Sequence, residues 1–329
     1  MKRNLCKKLL TGALMAGALL VSQTAQAQLD EIQKFLESGA DNATALTQAY
    51  LKPLPTGLAT TLNSGWNTKA AATKTLGFSI QVRAAVAQVP TGFQTFDAST
   101  LNLQNVNVSG TSSNTISGAK GSGQTISDTG NNFSFQLPGG SGFEYVPTAM
   151  IQANVGLIKG TDVTVRYIPE TDLGSYGNLS LIGAGLKHNL NQWIPGGKLL
   201  PVDLSVMAAF STIDLNADLN FNGGTDQVVE TSTNTFVVNA LVGKTLPFVS
   251  AYAGVGYQTG SFELNMLGNY DIGGGQTLTD PVSYSDDSQA GVHALAGIQL
   301  KIAILRIYAE VTAAEFMTAN AGIGIGFRK

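Results

Sequence analysis

His188 and His293 are the only histidines in 329 residues, so a Ser–His or His–acid hydrolase would have to use one of them. His188 stands between Lys187 and Asn189 at the end of an alternating run, a place for a polar interfacial residue. His293 shares a parity with Gly291, Gly297, Gln299 and Lys301, the side read below as internal. No G-x-S-x-G occurs to present a nucleophile, so no catalytic residue is assigned and an enzyme is not expected. Gly322, Gly324 and Gly326 mimic a dinucleotide fingerprint. That motif needs a following helix to offer phosphate its N-terminus, and only Phe327, Arg328 and Lys329 come after it. No cofactor is expected. For metals the candidates are weak: Asp286 and Asp287 could hold a loosely bound cation.

The remaining chemistry lies in a set of polar residues that share one parity. Gln81, Arg83, Gln152, Asn154, Arg166, His293, Arg306, Tyr308 and Glu310 alternate with apolar neighbours, for example Ile80, Val82 and Ala84 or Ile307, Ala309 and Val311. Elements with a period of two are strands. If the apolar side faces lipid, a charge on that side costs ~2–4 kcal/mol near the midplane, so the polar set must line an interior.

Composition supports a membrane strand protein. Only 12% of residues are charged, 38 are Gly, and 43% are hydrophobic. No apolar run past the leader is long enough for a spanning helix. Residues 1–27 read as an export signal: Lys2, Arg3, Lys7 and Lys8, then apolar Leu9 to Val21, then Ala25-Gln26-Ala27. Cys6, the single cysteine, leaves with it, so neither a disulfide nor a cysteine metal site is expected. The leader carries four of the 19 basic groups and none of the 22 acidic ones. What remains is acidic, which excludes nucleic acid as a partner.

Residues 28–75 read as a helical plug or cap segment. Leu29, Ile32, Phe35 and Leu36 form one helical face ended by Gly39. Asp41 or Asn42 could cap a second helix carrying Ala43, Leu46 and Tyr50, stopped before Pro53. Phe35, Tyr50 and Trp66 are its apolar plug candidates. Their position between an export signal and the first strand places this segment at the periplasmic mouth, with the stretch from Tyr50 to Trp66 entering the lumen. Arg83, Arg306 and Glu310 are expected to bind its backbone.

Residues 76–329 give ten alternating runs, with twelve or fourteen strands open if 91–143 contributes more. The run at 177–189 is apolar on both faces. Long and short connections largely alternate, as in a porin-like barrel with long outer loops and short periplasmic turns. The long ones hold acids such as Asp128, Glu170, Asp214, Glu230, Glu263 and Asp280, opposed by Lys120. The short ones gather Lys159, Lys198, Lys244 and Lys301. This predicts an all-β transmembrane antiparallel barrel, integral to a Gram-negative outer membrane, with both termini in the periplasm and a cation-attracting mouth.

Several segments resemble a known family: A-Y-L-K-P at 49–53, G-W at 65–66, L-G-F-S-I at 76–80 and V-P-x-x-F-x-T-F at 89–96. With G-L-K-H-N at 185–189, W-I-P-G-G at 193–197 and L-P-V-D-L at 200–204, the chain resembles an uncharacterised outer-membrane barrel family of Bacteroidota. That resemblance covers the mature chain and implies fold and location without an activity. More distantly, and by architecture only, the chain is similar to fatty-acid-transporter-type barrels, whose N-terminal Asn-Pro-Ala motif it lacks. The expected role is passive passage of a small, hydrophobic solute gated by the N-terminal segment. The alternative is a non-transporting structural or accessory barrel that holds a periplasmic or surface protein partner of a secretion or surface-assembly system. Outer-membrane lipid is a partner in either case.

Overall fold

The computed structural model describes residues 34–130, 133–174, 177–219, 226–273 and 275–327. The export leader, Leu29, Ile32, Arg328 and Lys329 lie outside the described residues.

Ten antiparallel strands close on themselves: β1 (Phe78–Gln88), β2 (Tyr145–Gly156), β3 (Thr161–Asp172), β4 (Asn178–Asn189), β5 (Asp203–Asp218), β6 (Val228–Thr245), β7 (Val249–Leu267), β8 (Val282–Ile302), β9 (Leu305–Ala313) and β10 (Thr318–Phe327). Each pairs with its sequence neighbours, and β1 pairs with β10 in the register Phe78 to Phe327. Closure removes the unpaired edge that lipid cannot solvate. No described helix is long and apolar enough to cross a membrane.

The outer surface carries a contiguous apolar belt, with Val292 at 82%, Val255 at 63% and Ile182 at 60% exposure. So much apolar surface is stable only against lipid. On β4 the ambiguous faces separate: Ile182, Ala184 and Leu186 point out, while Leu181 and Lys187 are buried inside. At the short-turn end Phe78 packs on Phe327 at 5.2 Å, and Trp193 and Phe248 stay exposed, an aromatic girdle.

Three strands run well past the ~9–11 residues a bilayer needs, β6 with 18 residues, β7 with 19 and β8 with 21. The apolar alternation of the sequence stops well short of these ends. The reason is an inversion of polarity. Along β7 the inward side changes from Gly254, Gly256 and Gln258 to buried Phe262, Leu264 and Met266. The outward side changes from Val255 and Tyr257 to Glu263 and Asn265, and a register shift between Gly260 and Phe262 marks the boundary. Above it the strands stand in water with an ordinary apolar interior. The segment between β1 and β2 adds no barrel strand. It folds into a two-stranded sheet (Thr95–Phe96 with Ser113–Asn114) and a three-stranded one built from Val106–Ser109, Thr125–Asp128 and Ser134–Gln136.

The N-terminal segment departs most from expectation. A 3-10 turn at Lys34–Ser38 precedes α1 (Ala40–Leu51), and α2 (Pro53–Asn63) follows at once. Pro53 begins a helix as well as ending one: its fixed φ and missing N–H suit the first helical position. Gly39, at φ +91°, is the residue before α1, so neither Asp41 nor Asn42 caps it. Asn42 instead clamps the long loop, giving its amide to the Gln104 carbonyl at 2.9 Å and accepting from the Gln104 N–H at 2.8 Å.

Candidate functional site

Helix α1 lies at the long-loop end of the barrel, not at the short-turn end where the sequence leads one to expect it. Phe35, Leu36, Leu46 and Tyr50 pack with Ile126 and Phe135 of the long loop and with Phe262, Leu264, Met266 and Tyr284 of the strand extensions. All of these belong to the long-loop end. Phe35 meets Tyr50 edge-on at 6.2 Å and stacks on Phe135 at 6.3 Å, and the Tyr50 hydroxyl donates to the Gly139 carbonyl at 3.0 Å. Phe35 and Tyr50 therefore cap the barrel instead of plugging it. They require apolar cover, and the inverted strand ends supply it. In the same cap, burial with Asp280 nearby pushes the Tyr270 phenol up to about 12.

From this cap the chain descends through the lumen. Gly57 of α2 lies against Val146 at the top of β2 and Ala59 against Gly260. Leu62 packs on Ile168 and Leu181, Ala70 lies against Gly243, and Thr73 reaches Asp162 near the short-turn end, just before β1 begins. The described chain thus starts at one end of the barrel and enters its first strand at the other.

Wall side chains bind the descending main chain. Arg166 donates to the Leu62 carbonyl at 2.5 Å and the Ser64 carbonyl at 2.6 Å, and its guanidinium lies 3.8 Å from the Trp66 ring centroid. Glu310 accepts from the Gly65 N–H at 2.6 Å, Arg83 donates to the Asn67 carbonyl at 3.0 Å, and Gln152 reaches the Trp66 carbonyl at 3.4 Å. The Tyr252 hydroxyl is 2.7 Å from Glu310 and 3.0 Å from the Asn67 carbonyl, its one proton lying between two acceptors. Lower down, Lys187 donates to the carbonyls of Lys69 at 2.9 Å and Ala71 at 3.2 Å, and pairs with Asp162 at 3.1 Å. Asp162 accepts from the Thr73 N–H at 2.8 Å. A non-helical segment in a lumen leaves its peptide groups without partners, and charged side chains satisfy them strongly.

All nine lumen candidates are buried. Asn154 accepts from the Thr73 hydroxyl at 3.1 Å, Gln81 accepts from Arg83 at 2.8 Å, and the Arg83 guanidinium stacks 4.7 Å from the Tyr308 centroid. His293 lies 2.7 Å from Asn239. Arg306 is the exception to the expected backbone binding: it donates to Ala303, Leu305 and Gly326 of the wall itself, because its strand position is one turn from the barrel rim. The Arg166, Lys187, Asp162 and Tyr252 contacts with the plug were not anticipated. Parity placed Arg166 and Asp162 inside but could not say what would lie opposite. His188 is occupied at the surface: Trp193 donates to its Nε2 at 2.8 Å, and Thr161 is 2.9 Å from Nδ1. Asp286 meets Tyr284 and Gln289 at 3.1 Å, while Asp287 is exposed. Among the described residues no group of three or more His, Cys, Asp or Glu is placed to hold a metal. The acids Glu170, Asp214, Glu230 and Glu263 line an open cleft of about 340 Å³ on the strand extensions.

Glycine makes room for the plug. A Cβ on Gly185 would stand 3.0 Å from the Trp66 ring, and one on Gly183 would stand 3.1 Å from it. Gly185→Val should displace the indole, cost about 1–3 kcal/mol by overpacking, and move Trp66 emission to longer wavelength in a Trp193→Phe background. Unchanged emission and urea midpoint would place Trp66 elsewhere. Beside Trp66, Asn67 and Lys187 the remaining void is about 10 Å³, room for about one water.

A family described as "Family of unknown function (DUF6588)" matches residues 1–327. The chain belongs to that family. No curated protein matches it. Among solved structures it is similar to Ail, the attachment invasion locus protein of Yersinia pestis, at 12% identity over 78% of this chain and 99% of that one, with a TM-score of 0.28. It is also similar to the translocator domain of autotransporter NalP from Neisseria meningitidis, at 11% identity over 86% and 96% of the two chains, again with a TM-score of 0.28. The fold of this family member is an outer-membrane-type β-barrel, as its strand closure and apolar belt require.

Proposed function

We propose that this protein is a channel of the bacterial outer membrane, closed by its own N-terminal segment and opened when that segment moves. The observation that carries the reading is the attachment of residues 62–73 to the wall by hydrogen bonds, one ring contact and apolar packing of Leu62, Trp66 and Ala70, all of them non-covalent. The solute is small. The wall of Arg83, Asn154, Arg166, Lys187 and Glu310 supports a polar solute over the hydrophobic one that the sequence suggested. The chemistry is passage without catalysis, since both histidines have structural partners.

Because Cys6 is the only cysteine, a Thr68→Cys variant reports the closed state cleanly. It should resist a membrane-impermeant thiol reagent at rest and react when applied voltage opens the purified protein in a planar bilayer. Labelling at full rate in a silent barrel would sink the reading.

One observation favours the second reading, a non-transporting barrel that holds a periplasmic or surface protein. The cap knits α1, the long loop and the strand extensions into one apolar cluster, a rigid lid for a channel. A bilayer-silent barrel that captures a defined partner would support it.

In our reading the long loops face outward, the short turns and the C-terminus face the periplasm, and the motif resemblance supports a host among Bacteroidota. Tags in 110–125 or 272–280 should label on intact cells, and a tag at 159–160 should not. Surface labelling at 159–160 would invert the orientation.

A further inference from the structure

We propose that the lumen is a polypeptide-binding site that reads the main chain of an irregular, mostly non-helical segment, and that residues 62–73 are its resident occupant, replaceable by a similar segment from another chain. This rests on reading that segment as a removable stopper.

The polarity of the contacts carries the argument. Arg166, Arg83 and Lys187 meet carbonyls, at Leu62, Ser64, Asn67, Lys69 and Ala71, whereas Glu310 and Asp162 meet N–H groups, at Gly65 and Thr73. Cations meet five carbonyls and carboxylates meet two N–H groups between Leu62 and Thr73, so the wall holds the backbone path itself. None of these bonds depends on the side chain of the bound segment. Main-chain bonds of this kind supply affinity, and side-chain seats supply specificity.

The seats are few. The Trp66 ring fills a slot between the Arg166 guanidinium, 3.8 Å from its centroid, and the bare backbone of Gly183 and Gly185. Ala70 lies where a Cβ on Gly243 would come within 3.0 Å, so only a small side chain fits there. Gly65, at φ +70°, passes against Asn320 with no space for a Cβ. The ligand class follows: a bent, non-helical peptide with glycine before one aromatic residue and a small residue four positions after that aromatic. It would enter from the long-loop end, where the described chain begins.

The test uses the full-length protein, with protease sites introduced at half-buried Gly39 and exposed Leu76 and cut after folding. An isotopically labelled synthetic peptide of residues 40–75 is then offered in excess. The cut segment should survive purification and exchange with the labelled peptide. A peptide N-methylated at Gly65, which cannot donate to Glu310, should compete roughly tenfold or more weakly, as should one carrying Trp66→Ala. Equal competition by the N-methyl and parent peptides would overturn main-chain reading. A segment that washes out and opens conductance, with no labelled peptide returning, would overturn the binding site and leave the stopper standing. A segment that neither leaves nor exchanges short of barrel unfolding would remove both.

Discussion

A protein exported with residues 29–72 deleted should still run as a heat-modifiable barrel and should conduct at least roughly tenfold more than the full-length chain, because ten strands enclose more space than wall side chains fill. Helix α2 and the irregular segment after it occupy the lumen, leaving a void of about 10 Å³ beside Asn67. With the segment gone, Arg166 and Glu310 lose their plug partners and face an open bore, whereas Arg83 keeps the Tyr308 ring and Lys187 keeps Asp162. Deletion also uncovers Phe262, Leu264 and Met266, which now rest against α1, so folding yield should fall. A second variant separates the two effects. Replacing 64–72 by a Gly/Ser linker keeps the cap and removes the Trp66 stopper. If either variant folds with the conductance of the parent, the segment is not a plug.

Arg166→Met should destabilise the closed protein by about 3 kcal/mol, the scale of charged hydrogen bonds lost to two buried carbonyls. Arg166 is fully buried and bonds Leu62, Ser64 and Gln152 while covering the Trp66 ring. Methionine has similar length and no donor, so the Ser64 carbonyl loses its Arg166 partner and the Leu62 carbonyl keeps only the Trp66 Nε1–H, at 3.1 Å. Lysine in that place should recover only part of the loss, because a single ammonium cannot fork to two carbonyls and stack on an indole at once. The checks are the urea midpoint of the refolded protein and amide exchange across residues 62–67. A midpoint shifted by less than about 0.5 kcal/mol, with protection retained, would mean that Arg166 is not a main anchor.

Much of this architecture was legible without coordinates, for a local reason. Successive strand side chains alternate between faces, so a charge at Arg83 or Glu310 among apolar neighbours must point inward whatever the rest of the chain does. The same parity gave ten strands, the lipid-facing Ile323 and Ile325, and the glycine side at Gly322 and Gly324. What parity could not supply was the partner across the lumen. Tyr50 and Trp66 were both apolar plug candidates, yet Tyr50 seals the cap and Trp66 sits against Gly183 and Gly185. The choice depends on residues more than a hundred positions away. Helix α2 was hidden because its Gly, Thr and Pro content is weak for a helix until packing in the lumen supports it. Strand extensions were hidden for a related reason: beyond the bilayer the buried and exposed faces exchange polarity, and only the position of the membrane and of α1 tells which face is which. So local periodicity determined the barrel and its polar interior. The tertiary structure alone decided that the chain threads that interior from the long-loop end, because buried peptide groups and the apolar face of α1 had to find partners contributed by distant strands.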